Sequence, residues 1–150
     1  MGQSHSQVLI HLVFSTKHRT PWLQDKALRH NLFAYMATIL KDIECPAIVI
    51  NGVEDHVHIL CVLSRKVSIA KLVEEVKTEP SKWMKKQGEV YAEFHWQNGY
   101  GAFSVSHSHV EQVAAYIADQ EKHHRKKTFN REFETLVEKY GLEWFEEGNR

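Results

Sequence analysis

The stretch HVHILCVL, from His56 to Leu63, carries apolar side chains on both faces of a strand. Side chains two residues apart project to the same face of a strand, so His56 and His58 lie together at its beginning. Leu60 and Val62 follow on the histidine face, and Val57, Ile59, Cys61 and Leu63 occupy the opposite face. Since both faces are apolar further along, we predict that this strand lies in the centre of a sheet.

Hydrophobic periodicity in the rest of the chain predicts the order β-α-β-β-α-β, followed by further helices. Asn51-Gly52 is a turn signal before the central strand, and Pro80 is expected to interrupt or kink the second helix. The order is that of a split βαβ, ferredoxin-like α+β fold: a four-stranded antiparallel sheet with two helices on one face, plus C-terminal helices. The predicted strands are Gln7–Ser15, Cys45–Ile50, His56–Leu63 and Ala102–Ser106, and the helices run from Asp25 to Lys41, from Ser68 onward, from His109 to Arg125 and from Asn130 to Tyr140.

Length and composition favour one ordinary globular domain over residues 1–150. Lysine plus arginine equals aspartate plus glutamate, 19 each, and this neutral balance counts mildly against a nucleic-acid-binding protein. Cys45 and Cys61 fall in apolar runs, which predicts buried free thiols and a reducing cytoplasm. No apolar run is long enough to span a membrane, so we expect no membrane partner.

The histidine pair is the first chemical signal. Two imidazoles side by side at the start of a strand can chelate one metal ion, although hydrogen-bonded or surface histidines fit the same spacing. Asp55 is adjacent in sequence, but strand alternation turns it to the other face. A third ligand is therefore expected from elsewhere in the chain.

The predicted helix from His109 to Arg125 offers such a ligand. At 100° per residue Tyr116 and Gln120 lie together on a flank away from the apolar stripe. The amide oxygen of Gln120 suits a hard divalent cation, and the phenol of Tyr116 is a nucleophile if a nearby cation favours its deprotonated form. A half-exposed tyrosine at the edge of the core is the alternative interpretation.

Together these residues resemble the single-tyrosine HUH transposases of the insertion-sequence 200/605 type. The resemblance rests on the histidine–hydrophobic–histidine motif His56-Val57-His58 on a central strand, and on Tyr116 followed one turn later by Gln120 in YIADQ. The segments HLVFSTKHR, FHWQNGYGAFSVS and YIADQEKHHRKKTF are also similar to the family. The likeness covers nearly the whole chain.

The resemblance implies a function. Family members cut single-stranded DNA at the ends of an element, which they recognise as imperfect hairpins, and form a 5′-phosphotyrosine that a 3′-hydroxyl then resolves. It implies Tyr116 as the nucleophile, with Mg²⁺ or Mn²⁺ held by His56, His58 and Gln120. It also implies a bacterial or archaeal homodimer, in which we expect the tyrosine helix of one subunit to complete the histidine pair of the other.

Basic clusters beside these motifs are candidates for DNA contact, although such clusters are more often solvated faces. Two other functions stay open: a domesticated relative that only binds hairpin nucleic acid, and a metal-dependent phosphodiesterase that uses water. The candidate nucleic-acid-binding residues are Lys17, Arg19, Lys77, Lys82, Lys85 and Arg125.

Overall fold

The computed structural model describes residues 2–124 and 128–139. Its sheet has four strands in the order β2-β3-β1-β4, and all three pairings are antiparallel. The ferredoxin-like prediction is therefore confirmed, with the histidine strand β3 inside the sheet. The strands are β1 (Val8–Ser15), β2 (Ala47–Gly52), β3 (His56–Leu63) and β4 (Gly101–Val105), and the helices are α1 (Lys26–Asp42), α2 (Ile69–Lys85), α3 (Val110–Ala118), α4 (Gln120–His124) and α5 (Phe129–Lys139).

Helices α1 and α2 cover one face of the sheet. Asp25 begins α1 by accepting a hydrogen bond from the Leu28 amide, and Ser68 begins α2 in the same way through the Lys71 amide. The apolar stripes of both helices then pack on one side of β1 and β3, in the largest buried cluster of the described residues. This accounts for the split βαβ part of the fold, because each capped helix buries one stripe against the same sheet face.

The C-terminal helices cover the opposite face. Ile117 of α3 packs with Leu60 of β3, and Leu136 of α5 packs with Val13 of β1. Leu60 lies on the same face of β3 as the two histidines, so the histidines point toward α3 and α5. Among the helices of residues 2–124 and 128–139, none combines the length and apolarity needed to cross a membrane.

The turn predicted at Asn51-Gly52 is displaced by two residues. Both residues belong to β2, where they pair with His58 and Val57, and the chain reverses over residues 53–55. Glycine is needed here for close approach, because a Cβ at Gly52 would lie 2.2 Å from the carbonyl oxygen of His56. Gly52 therefore allows β2 and β3 to approach closely, and the turn begins after it.

Of the two outcomes expected at Pro80, interruption of the second helix does not occur. Helix α2 runs without a break from Ile69 to Lys85, and Pro80 lies buried within it. Val76 and Met84, one turn before and one turn after, are both in the core cluster. Burial of this continuous stripe outweighs the backbone hydrogen bond that proline removes.

The tyrosine helix is shorter than predicted. Helix α3 ends at Ala118, Asp119 leaves the helical path, and α4 starts at Gln120. The side-chain amide of Asn51, from β2, donates to the carbonyls of Ile117 and Ala118 at 3.1 and 3.0 Å. In a continuous helix those carbonyls would accept from backbone amides four residues later. Here the Asn51 side chain donates hydrogen bonds to them at the point where α3 ends.

Candidate metal and tyrosine site

The two histidines lie side by side on β3 and are almost completely buried. His56 is 1 % exposed and His58 is 0 % exposed. Their Nε2 atoms both face the carboxylate of Glu132, on α5, whose Oε1 lies 3.1 Å from His56 and 3.0 Å from His58. The predicted side-by-side histidine pair is therefore present, and an acidic side chain reaches it from the last described helix.

Gln120 also reaches the pair. Its Oε1 lies 3.1 Å from Nε2 of His56, and its Nε2 donates to Oε2 of Glu132 at 3.3 Å. The break at Asp119 does not separate it from the site, because α4 starts at Gln120 and directs this side chain inward, where it is fully buried. Its amide oxygen faces the same space as the imidazole nitrogens.

Tyr116 comes to the same carboxylate from α3. Its hydroxyl donates a short hydrogen bond to Oε2 of Glu132. Its ring centroid lies 5.7 Å from that of His58 of the same chain. The flank position expected for Tyr116 is thus beside the histidine pair, and within one chain the phenol, two imidazoles and the amide converge on Glu132.

Each imidazole is oriented by a second side chain. Nδ1 of His56 donates to Oδ1 of Asp55 at 2.8 Å, and Nδ1 of His58 is hydrogen-bonded to Nε2 of His11 at 2.9 Å. Asp55 lies just before β3, and its carboxylate contacts Nδ1 of His56, the ring nitrogen that faces away from Glu132. With both Nδ1 atoms occupied, both Nε2 atoms point inward, which is the usual support of metal-binding histidines.

The charges of the site are strongly coupled. Burial opposes protonation of His56, but hydrogen bonds to Asp55 and Glu132 outweigh it and raise the pKa to about 9. Burial would raise the pKa of Glu132, yet its hydrogen bonds to His56 and His58 hold it well below its usual range. Burial, then the hydrogen bond to Glu132, raises the pKa of the Tyr116 phenol. The metal-free site therefore holds an imidazolium, a carboxylate and a neutral phenol.

His11 adds no positive charge to this group. Burial, followed by the neighbouring His58, lowers its pKa to about 3. A neutral His11 is suited to share one proton with the outer nitrogen of His58.

The raised pKa of His56 predicts a pH dependence of stability for metal-free protein. The folded chain holds this proton more tightly than the unfolded chain, whose histidine has a pKa near 6.5. The stabilisation is therefore complete below pH 6.5 and is lost as pH rises through 9, with an upper bound of about 3 kcal/mol. Urea unfolding with a chelator, at pH 6 and pH 9.5, measures the change.

His56→Gln is the reference for that experiment, because glutamine cannot take up the proton. The stability advantage of the wild type over this variant is expected to shrink from pH 6 to pH 9.5. An advantage that stays constant or grows over this interval contradicts the assignment.

The donor atoms fit a divalent cation. Two imidazole nitrogens, a carboxylate and an amide oxygen form a mixed set that Mg²⁺ or Mn²⁺ can use. Metal–ligand distances of about 2.0–2.1 Å place adjacent ligand atoms of an octahedral ion about 3 Å apart. The separations from His56 and His58 to Glu132, and from His56 to Gln120, are 3.0 to 3.1 Å.

Glu132 is the site residue that the sequence interpretation missed. The sequence analysis places no candidate ligand on the last predicted helix, from Asn130 to Tyr140, which carries Glu132. Its apolar side chains nevertheless define a stripe, and Glu132 falls inside it at 5 % exposure. An acidic residue inside a helical apolar stripe is the signal that could have identified it. The stripe consists of Phe129, Phe133, Leu136 and Val137.

The candidate nucleic-acid-binding residues within the described part of the chain lie in two separate places. Lys17 and Arg19 lie in a short 3₁₀ turn after β1, and Lys82 and Lys85 are exposed near the end of α2. Arg125 lies outside the described residues. A cavity of about 320 Å³ is lined by Lys82, Lys85 and neighbouring polar side chains. DNA contact by these residues stays a prediction.

Lys77 differs from the exposed Lys17, Lys82 and Lys85 because its ammonium group faces inward. Nζ donates to the carbonyls of Gln97 and Gly99, both at 2.8 Å, and lies 5.4 Å from the Phe14 ring centroid. Burial lowers its pKa to about 8. Lys77 therefore holds the loop before β4 against α2, and that loop in turn borders the basic cavity.

Known proteins share the sequence pattern and the fold of this chain. Residues 4–120 match the family model described as "Transposase IS200 like". Among solved structures, a predicted transposase from Deinococcus radiodurans is similar at 21 % identity and a TM-score of 0.62, covering 80 % of this chain and 96 % of its own. No curated protein sequence matches the chain significantly.

A second similar structure is the REP-associated tyrosine transposase bound to a REP hairpin. It shares 11 % identity and a TM-score of 0.60, over 83 % of this chain and 74 % of its own. At these identities the two structures establish a common fold. Glu132 lies beyond the segment that the family model matches.

Proposed function

We propose, since this chain belongs to the family of IS200-like transposases, that it cleaves and rejoins single-stranded DNA at the ends of a mobile element through a 5′-phosphotyrosine. One observation carries the proposal. The phenol of Tyr116 and the inward nitrogens of His56 and His58 meet at one buried carboxylate within a single chain. A nucleophile beside a cation-binding pair is what tyrosine attack on phosphorus requires.

The metal in this proposal is Mg²⁺ or Mn²⁺. His56, His58 and Gln120 would hold it, and the distances add Glu132 to that set. When bound, such an ion polarises a phosphodiester and favours the deprotonated phenol. Asp55 and His11 contribute by fixing the imidazole rings from behind.

The covalent step can be written for the residues of the chain. The phenol of Tyr116 loses its proton and its oxygen forms a bond to phosphorus, while the bond from phosphorus to the 3′ oxygen breaks. The departing 3′ oxygen takes up a proton, which balances the one lost by the phenol, and a free 3′-hydroxyl is released. Oε2 of Glu132 already accepts the hydrogen bond of the phenol, so it is the acceptor nearest to the departing proton. In the reverse sense a 3′-hydroxyl attacks the phosphotyrosine, and the phenol regains its proton.

The DNA partner follows from the same proposal. The similar tyrosine transposase was solved with a REP hairpin, and we propose hairpins at the element ends as the ligand here. Exposed Lys17, Lys82 and Lys85, with Arg19, are proposed to contact its phosphates. We further propose that residues 1–150 act as one domain, as a homodimer in a bacterial or archaeal cytoplasm.

A mixing experiment tests whether subunits exchange their tyrosine helices. Within one chain the Tyr116 phenol already lies beside its own His58, which favours a site completed in cis. A mixture of Tyr116→Phe and His58→Ala chains is then expected to stay as inactive as each variant alone. Restored covalent product in the mixture would establish completion in trans.

The function itself is tested with labelled single-stranded hairpin DNA taken from the genomic flanks of the coding sequence, with Mn²⁺ and with a chelator. A metal-dependent covalent protein–DNA product on a denaturing gel supports transposase chemistry. Cleavage without an adduct at any time point favours a water-using phosphodiesterase. A mobility shift on native gels with neither product favours a hairpin-binding relative.

A further inference from the structure

A cavity of about 490 Å³ lies between β4, α3 and α5, and Tyr116 and Glu132 form part of its wall. This volume falls within the range of about 300–1,000 Å³ found for small-molecule sites. Of the proposed metal ligands only Glu132 lines it, since His56, His58 and Gln120 do not. The cavity therefore adjoins the candidate active site and shares Tyr116 and Glu132 with it.

From this position we infer that the cavity binds one unpaired deoxynucleotide, the one whose 5′-phosphate becomes attached to Tyr116. The inference rests on the proposed function, because it places part of that reaction's substrate. An attacked phosphate must come into contact with the phenol oxygen, so the nucleotide joined to it has to occupy space adjoining Tyr116. Among the described residues, this cavity supplies such space.

The direction of attack selects the nucleotide. In an in-line displacement the leaving 3′ oxygen departs on the side of phosphorus opposite to the attacking phenol. The nucleoside that leaves is thereby directed away from Tyr116. The nucleoside bonded through its 5′ oxygen stays attached to the phosphate, and this retained nucleotide is the one that the cavity accommodates.

The lining has the chemistry that a nucleotide requires. Val105, Val113 and Leu136 supply an apolar wall for the face of an unpaired base. Gln112 has an amide able to donate and accept at a base edge, and Lys139 supplies a cation for a phosphate. Both residues are exposed, so the polar groups lie at the solvent side of the apolar wall.

Binding is tested with mononucleotides, which need no knowledge of the DNA sequence. The isotope-labelled full chain is titrated with each of the four deoxynucleoside 5′-monophosphates and, separately, with inorganic phosphate, while amide NMR shifts are followed. We expect at least one nucleotide to perturb residues of β4, α3 and α5 around the cavity. Inorganic phosphate alone should leave the apolar wall unperturbed.

Two variants fill the cavity without touching the metal site. Thr135→Trp enters from α5 and Gln112→Trp from α3, and both residues are exposed members of the lining. Each is expected to weaken nucleotide affinity about tenfold or more, which corresponds to about 1.4 kcal/mol. Asn130→Trp is the matched control, because Asn130 is exposed on α5 and does not line the cavity.

The inference is overturned if no nucleotide perturbs the cavity residues, or if both filling variants bind as tightly as Asn130→Trp. This outcome differs from failure of the proposed function. A covalent adduct formed by a protein that does not bind nucleotide in the cavity would preserve the tyrosine chemistry and discard the subsite. Nucleotide binding without any adduct would contradict the chemistry, with the cavity still established as a nucleotide site.

Discussion

Replacing Tyr116 with phenylalanine is expected to eliminate the covalent protein–DNA product, a loss of about a thousandfold or more in strand cleavage. The substitution removes only the phenol oxygen, which is the atom proposed to attack phosphorus. Glu132 keeps its bonds to His56, His58 and Gln120, so the stability cost should be about 1 kcal/mol. Denaturing gels measure the chemistry, and urea unfolding measures the stability.

Tyr100→Phe is the matched control for this experiment. It deletes the same atom from a tyrosine that is 39 % exposed and has no contact with the metal site in the structure. Adduct formation should persist in this variant. A Tyr116→Phe protein that still forms the adduct would show that another residue attacks the DNA.

Replacing Glu132 with alanine is expected to weaken Mn²⁺ binding by about 10–100-fold and to destabilise the metal-free protein by about 3 kcal/mol. Its carboxylate is the counter-charge of the buried His56 imidazolium and accepts hydrogen bonds from Tyr116 and Gln120. Removing it leaves a buried charge and several buried donors without their partner. Calorimetric titration with Mn²⁺ and urea unfolding with a chelator measure the two effects.

Two further variants separate charge from shape at this position. Glu132→Gln keeps the side chain's length and one oxygen, so its stability should lie between that of the wild type and Glu132→Ala. Glu138→Ala removes an exposed carboxylate from the same helix and should change neither property. Wild-type metal affinity and stability in Glu132→Ala would contradict the central place of this carboxylate.

The strand from His56 to Leu63 could be predicted because the pattern that defines it lies within consecutive residues. Alternation alone predicts that His56 and His58 share a face, and the apolar residues after them predict burial. Both expectations agree with β3, whose bounds match the predicted residues. The ferredoxin-like order follows in the same way, since each strand and each helix cap is determined by a few neighbouring residues.

The rest of the site depends on contacts between distant segments. Glu132 lies 76 positions after His56 in the sequence, and nothing near it in sequence indicates that it meets a histidine. The end of α3 depends on Asn51 of β2, and the inward orientation of Lys77 depends on the carbonyls of Gln97 and Gly99. Charge and hydrophobic periodicity indicate which face of its own helix or strand a residue occupies. The contacts of Glu132, Asn51 and Lys77 depend instead on how two separate elements pack.

Identification of the residue that carries the DNA is the most direct test of the proposed chemistry. The adduct formed with hairpin DNA and Mn²⁺ is digested with nuclease and protease, and the modified peptide is sequenced by mass spectrometry. We predict a nucleotide joined through its 5′-phosphate to the Tyr116 oxygen, in the peptide that contains YIADQ. A nucleotide on any other residue, or joined through its 3′-phosphate, would contradict this assignment.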